Sequence, residues 1–150
     1  MPMRVDAALP SLDGASRWFN GQVSREDLLG HPTLVHFWSV SCHICKETMP
    51  GVVEWRDRYA AQGLKMVGIH VPRQEEDTDI SEVQRLVERF QMKHPVAVDN
   101  NLTITAGFEN EYVPAFYVFD REGKLRFRAG GDKGFAMVEG RIRRVSGLEG

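Results

Sequence analysis

Apolar residues fall along this chain in blocks whose spacing changes from strand-like to helix-like and back. Thr33–Ser39 (TLVHFWS) is a nearly unbroken run of β-branched, aliphatic and aromatic residues, the composition of a buried central strand. From Cys42 to about Gln62 the period lengthens, with Met49, Val52, Val53, Trp55 and Tyr59 at helical intervals. Such a stripe predicts an amphipathic helix. Pro50 lies inside it and predicts a kink about two turns in. Gly63 stands where a helix is expected to stop on a left-handed residue. Lys65–Val71 (KMVGIHV) reads as the next buried strand, and strand–helix–strand closes as a right-handed parallel crossover.

The flanking blocks are shorter. Residues 1–15 are extended and punctuated by Pro and Gly, and Ser16–Phe19 is a short strand before Asn20-Gly21, a hairpin signal. Ser24-x-x-Asp27 resembles a capping box for one helical turn, stopped by Gly30 and Pro32. Pro72–Ser81 is polar and acidic and reads as a solvated loop. Ser81–Phe90 is a second amphipathic helix through Val83, Leu86, Val87 and Phe90. Val96–Asp99 predicts a short strand and Leu102–Phe108 a short helix. Ala115–Asp120 and Leu125–Ala129 flank Arg-Glu-Gly-Lys, the clearest hairpin. Gly134–Val145 closes with a helix carrying Phe135, Val138 and Ile142. A βαβ half followed by a ββα half implies an α/β fold, a mixed central sheet with helices on both faces and an N-terminal extension. One domain is expected over residues 1–150, with its core at about 24–145. Sites in such open sheets lie beyond the carboxyl ends of the strands, and Cys42 follows one of those ends.

Composition narrows the classes. Hydrophobic residues make up 42% and charged residues 27% of 150 residues, with net charge −2. That balance suits a soluble globular domain and gives no electrostatic reason to invoke nucleic acid or an anionic membrane. Nothing approaches the roughly 20 apolar residues of a membrane span. The first residues, MPMRVDAALPSLDG, lack the apolar segment of a signal peptide, so a cytoplasmic location is the expectation, or an extracytoplasmic one if a leader has been removed; a monomer is also expected.

The only two cysteines are Cys42 and Cys45. Two cannot form a secreted scaffold's disulfide framework, and a bridge closing so small a ring restrains the unfolded chain little. Chemistry explains the pair better. A thiol attacks as its thiolate, and at pKa ~8.5 about 3% is ionised at neutral pH. The unpaired N–H groups and partial positive charge of a helix N-terminus favour the anion. Cys42 is placed to receive that effect and to be exposed, and Cys45, one turn on, to resolve a mixed disulfide. His43 and Ile44 lie between them; a protonated His43 would stabilise the thiolate, whereas a solvated one would do little. A structural zinc site needs four ligands, and the five histidines offer no adjoining ligand spacing. Neither metal nor cofactor is expected.

The runs LVHFWSVSCHICKETMP and VPAFYVFDREGKLRFRAGG resemble the thioredoxin fold, and more narrowly the TlpA/ResA-like thiol-disulfide oxidoreductases, over about Asp6 to Val145. The resemblance implies Cys42 as nucleophile, Cys45 as resolving cysteine and Pro114 as a facing cis-proline. It also implies that Val113 offers backbone groups to an extended partner chain. Partners are then protein thiols and disulfides with an upstream electron donor or acceptor. This sequence departs from the family at three places. Ser41 replaces the tryptophan common before the first cysteine. Thr48 stands where some ResA-like members carry glutamate, with Glu47 one position early and about 100° away around the helix. His36 stands where thioredoxins place a buried aspartate that relays a proton to the resolving cysteine. His36 either takes that relay, with a pKa better matched to neutral pH, or is a hydrogen-bonded core histidine. Phe37 and Trp38 are expected in the core, and Arg141, Arg143 and Arg144 on a solvated helix face. Trp18 and Trp55 carry no functional signal. A peroxiredoxin-like peroxidase and a non-enzymatic metal-binding or interaction module are the alternatives.

Overall fold

In a computed structural model, which describes residues 3–148, six strands form one sheet. They are β1 (Arg17–Phe19), β2 (Thr33–Trp38), β3 (Lys65–His70), β4 (Val96–Val98), β5 (Ala115–Phe119) and β6 (Leu125–Gly130), in the order β1-β4-β3-β2-β5-β6. β2 pairs parallel with β3 and antiparallel with β5, and β3 pairs parallel with β4. The sheet is therefore mixed, and its central strand ends at the cysteine loop.

Alternation along the strands divides the core into two layers. Leu34 and Trp38 of β2 and Phe116 and Val118 of β5 face the helices α2 (His43–Arg58), α3 (Ile80–Arg89) and α5 (Gly131–Val145). Val35 and Phe37, with Tyr117 and Phe119, face α1 (Arg25–Leu28), α4 (Thr103–Gly107) and the N-terminal extension. Phe37, Phe108 and Tyr117 meet edge-to-face there, with ring centroids 5.1–5.4 Å apart. Met3, Leu9 and Leu12 are buried in the same layer, so the extension belongs to the core rather than preceding it. Its backbone pairs with the β5–β6 hairpin: Asp6 N–H donates to Leu125 O, and Leu9 N–H to Gly123 O, both at 2.8 Å.

Several sequence signals have direct structural counterparts. Ser24 and Asp27 form a reciprocal capping box on α1. Gly63 adopts φ 87° after the 3-10 turn Ala60–Gln62 that ends α2. The Arg121–Lys124 turn joins β5 to β6, and the Asp120 carboxylate accepts from the Glu122 and Lys124 N–H groups at 2.9 and 3.0 Å. Three readings need correction. Asn20-Gly21 is a turn with positive φ at both residues, but it makes no hairpin. β1 instead pairs with β4, and the Asn20 amide donates to the Met92 and His94 carbonyls. Arg141 is not simply solvated, because its guanidinium lies 4.7 Å over the Phe127 ring. The Pro72–Ser81 stretch is not wholly a solvated run, because Asp77 is buried.

Candidate functional site

The site begins with β2. Six buried residues carry the chain to Trp38, after which Ser39, Val40 and Ser41 turn it into α2. Cys42 is the N-cap residue of α2, in extended backbone. Its Sγ accepts the Cys45 N–H at 3.1 Å, one of the donors that a helix start leaves without an intrahelical partner. A hydrogen bond at this position favours charge on the sulfur. Cys42 and Cys45 form a disulfide, with Cα atoms 5.2 Å apart. Cys45 is 1% exposed, and Cys42, expected to be exposed, is only 3% exposed in the disulfide state, its sulfur bonded to Cys45 and accepting that residue's N–H. α2 stays helical across Pro50, and the Thr48 hydroxyl donates to the Ile44 and Cys45 carbonyls.

The other sequence-nominated residues surround this pair unequally. Ala115 is registered opposite Phe37, so Pro114 falls at the end of β5 beside the place where β2 gives way to the cysteine loop. The Val113–Pro114 peptide bond is cis, and the Pro114 carbonyl accepts from Gly131 N–H at 3.0 Å. Val113 is half-buried between the two core layers. Ile44 is an exposed apolar residue at 36%. His43 points along the helix, its Nε2 2.8 Å from the exposed Glu47 carboxylate.

His36 lies fully inside, on the same face of β2 as Leu34 and Trp38, within the layer that holds Cys45. Its Nε2 is 2.9 Å from the Nε2 of buried His94; one ring donates and the other accepts. Gly68, opposite His36 on β3, leaves room for the two rings: a Cβ there would come within 2.9 Å of His36 Nε2. Burial holds the His36 pKa down to about 3 and that of His94 well below its usual value. Both rings are therefore neutral at neutral pH, far from the near-neutral titration expected of a histidine relay.

Two groups that the sequence did not single out hold the turn before Cys42. His70, at the end of β3, accepts the Val40 N–H on its Nε2 at 3.1 Å. Asp77, on the 3-10 turn Glu75–Thr78, is 2% exposed. Its Oδ2 accepts from the Ser39 hydroxyl at 3.0 Å, the Ser41 hydroxyl at 2.7 Å and the Arg73 N–H at 2.9 Å. Burial pushes the Asp77 carboxyl up, but hydrogen bonds from Ser41, Arg73 and Ser39, with His70 nearby, leave it below its usual pKa. It is a carboxylate at neutral pH. His70, whose pKa burial lowers to about 4, is neutral beside it. Among the described residues no three His, Cys, Asp or Glu side chains gather as a metal site, and no helix is long and apolar enough to cross a membrane.

A mixed sheet whose central strand delivers a C-x-x-C pair to a helix N-terminus, with a cis-proline at the neighbouring strand, defines a thioredoxin-like protein. The solution structure of a thioredoxin-like protein in the oxidized form superposes with a TM-score of 0.89 at 44% identity, covering 99% of this chain and 100% of that one. The chain belongs to the AhpC/TSA family, whose description matches residues 5–128. It is 46% identical over 144 residues to the thiol-disulfide oxidoreductase YkuV of Bacillus subtilis (strain 168), covering 95% of this chain and 97% of that protein. The thiol-disulfide oxidoreductase ResA of Bacillus anthracis is 24% identical over 125 residues, covering 83% and 69% of the two chains.

Proposed function

We propose that this chain is a thiol-disulfide oxidoreductase acting on protein thiols and disulfides, with Cys42 attacking and Cys45 resolving. The observation that carries the reading is the Cys42–Cys45 disulfide at the start of α2, where Cys42 Sγ accepts a backbone N–H. In the reducing direction, the Cys42 thiolate attacks one sulfur of a partner disulfide. The partner S–S bond breaks, a Cys42–partner bond forms, and the departing partner sulfur takes up a proton. Cys45, after giving up its proton, then attacks Cys42 Sγ. This forms the internal disulfide and releases the second partner thiolate for protonation. Two electrons pass from the dithiol to the partner, and the reverse sequence oxidises it.

Within this reading, Val113 and Pro114 border the partner's backbone, while Ile44 and His43 offer an exposed rim beside Cys42. The relay that His36 would provide for the Cys45 proton is supported by its buried place on the face of β2 that carries Leu34 and Trp38, and opposed by a pKa that burial holds down to about 3. The peroxidase alternative is not favoured. Val40 and Ser41 occupy the approach to Cys42, and the relatives YkuV and ResA bear the name thiol-disulfide oxidoreductase.

The test is a Cys45→Ser variant incubated with a disulfide-containing protein such as insulin. A mixed disulfide that accumulates, dissolves on reduction and is absent from Cys42→Ser is the expected result. Equal labelling of both variants, or none, would refute the assignment. His36→Ala then reports on the relay: a rate and pH profile of insulin reduction equal to the parent's would remove His36 from the mechanism.

A further inference from the structure

The turn Ser39–Val40–Ser41 is the only chain between the end of β2 and the nucleophile. The loop after β3 grips it from outside the sheet. Both of its hydroxyls converge on one oxygen of a buried carboxylate, Asp77 Oδ2, at 3.0 and 2.7 Å. Its central amide is held by His70 Nε2 at 3.1 Å, and the Arg73 guanidinium donates to the Ser41 carbonyl at 3.3 Å. Neither serine would need so specific a partner if the turn only connected two elements. We infer that Asp77 is a positioning residue for thiol-disulfide exchange. It latches the turn that presents Cys42 and, as a fixed negative charge held on the residue before the nucleophile, biases the cysteine pair toward donating electrons. This inference rests on the exchange chemistry proposed above.

The sign follows from the charges that face the carboxylate. From its own turn come the exposed acidic residues Glu75 and Glu76, which add negative charge, and Arg73, which reaches it through the backbone N–H. From β3 comes His70, whose Nε2 accepts from Val40, so its proton sits on Nδ1 and the ring is neutral. Ser39 and Ser41 supply neutral dipoles. Among the described residues, no ion pair joins a Lys or Arg to Asp77. Cys42 itself caps the start of α2, which supplies the positive end of the helix and carries the cation Lys46 one turn on. Cys42 thus caps a helix terminus that favours its thiolate and follows directly on Ser41, whose hydroxyl is held by a carboxylate that opposes it. Destabilising the thiolate destabilises the reduced pair relative to the disulfide, and a pair with a less stable reduced form is the better reductant.

Asp77→Asn keeps the shape and one acceptor oxygen but removes the charge. The expected result in the reduced protein is a lower pH midpoint for Cys42 alkylation by iodoacetamide. Equilibrium with glutathione is expected to move toward the dithiol by about threefold or more. A Ser39→Ala/Ser41→Ala double variant keeps the charge and strips its hydroxyl partners, so both readouts should move the opposite way. Shifts of both variants in the same direction would identify a purely structural latch and overturn the charge role. Unchanged midpoints and equilibria in both would overturn the inference entirely. Should Asp77→Asn fail to fold by circular dichroism, the double variant decides alone: a raised midpoint supports the inference, and a lowered or unchanged one overturns it. If the parent protein itself does not equilibrate with glutathione through Cys42 and Cys45, the exchange reading has failed rather than the role of Asp77.

Discussion

Three neutral histidines inside the fold make its stability depend on pH in a window where few other groups titrate. His36 has its pKa lowered from 6.5 to about 3 and His70 to about 4, both by burial, and His94 is lowered in the same direction. The unfolded chain takes up these protons near pH 6.5 and the folded chain does not. Stability is therefore complete above about pH 6.5 and is lost as pH falls below it, until the folded-state values are reached. Each such histidine contributes about 1.4 kcal/mol per pH unit inside that window. Between pH 8 and pH 5, His36 and His70 together cost about 4 kcal/mol of unfolding free energy. A domain of this size then loses roughly 8–16 °C in Tm. The lowered carboxylates, such as Asp77 and Asp120, act at more acid pH and do not offset the loss in this range. Urea titrations of the oxidised protein at pH 8, 7, 6 and 5 measure the effect. His36→Gln should reduce the slope below pH 6.5 by about one proton. An unfolding free energy that stays level from pH 8 to pH 5 would refute the neutral burial of these rings.

Gly68→Ala places a methyl 2.9 Å from His36 Nε2 and 3.4 Å from His94 Nε2, so it should cost about 1–3 kcal/mol in urea denaturation. An unchanged midpoint would mean that the paired rings can step aside. Asp99, fully buried, accepts from the N–H groups of Ile104 and Thr105 and from the Thr105 hydroxyl at 3.1, 2.7 and 2.7 Å. Asp99→Ala should therefore cost about 2–3 kcal/mol and loosen α4, read as faster amide exchange at Ile104 and Thr105.

What the chain displays locally, the fold uses. The apolar run of β2, the stop at Gly63, the Ser24–Asp27 box and the turn at Arg121–Lys124 each depend on neighbours within a few residues, and each formed as the pattern implied. The Cys42–Cys45 junction was legible for the same reason. Features made by distant partners were not. His36 meets His94 58 residues away, and Ser41 meets Asp77 36 residues away. Asp77 sits among acidic neighbours that do face water, so composition assigned it to solvent with them. Asn20-Gly21 illustrates the converse. Positive φ at both residues suits any reversal, and the partner of β1 was settled by the open edge of β4 rather than by the turn.

The position of β2 between β3 and β5 also orders events during synthesis. β3 follows β2 after a single helix, so the crossover that builds the cysteine-bearing helix can close from local sequence alone. β5, whose pairing brings Pro114 alongside, arrives only after α3, β4 and α4 have been made. A nascent chain paused before Ala115 would hold both cysteines without the strand that brings Pro114 alongside them. On the function proposed above, the attacking pair lies in the first half of this polypeptide and the residues that would align a partner lie in the second. Until both halves are made, the cysteine pair lacks the proline that the finished sheet sets beside it.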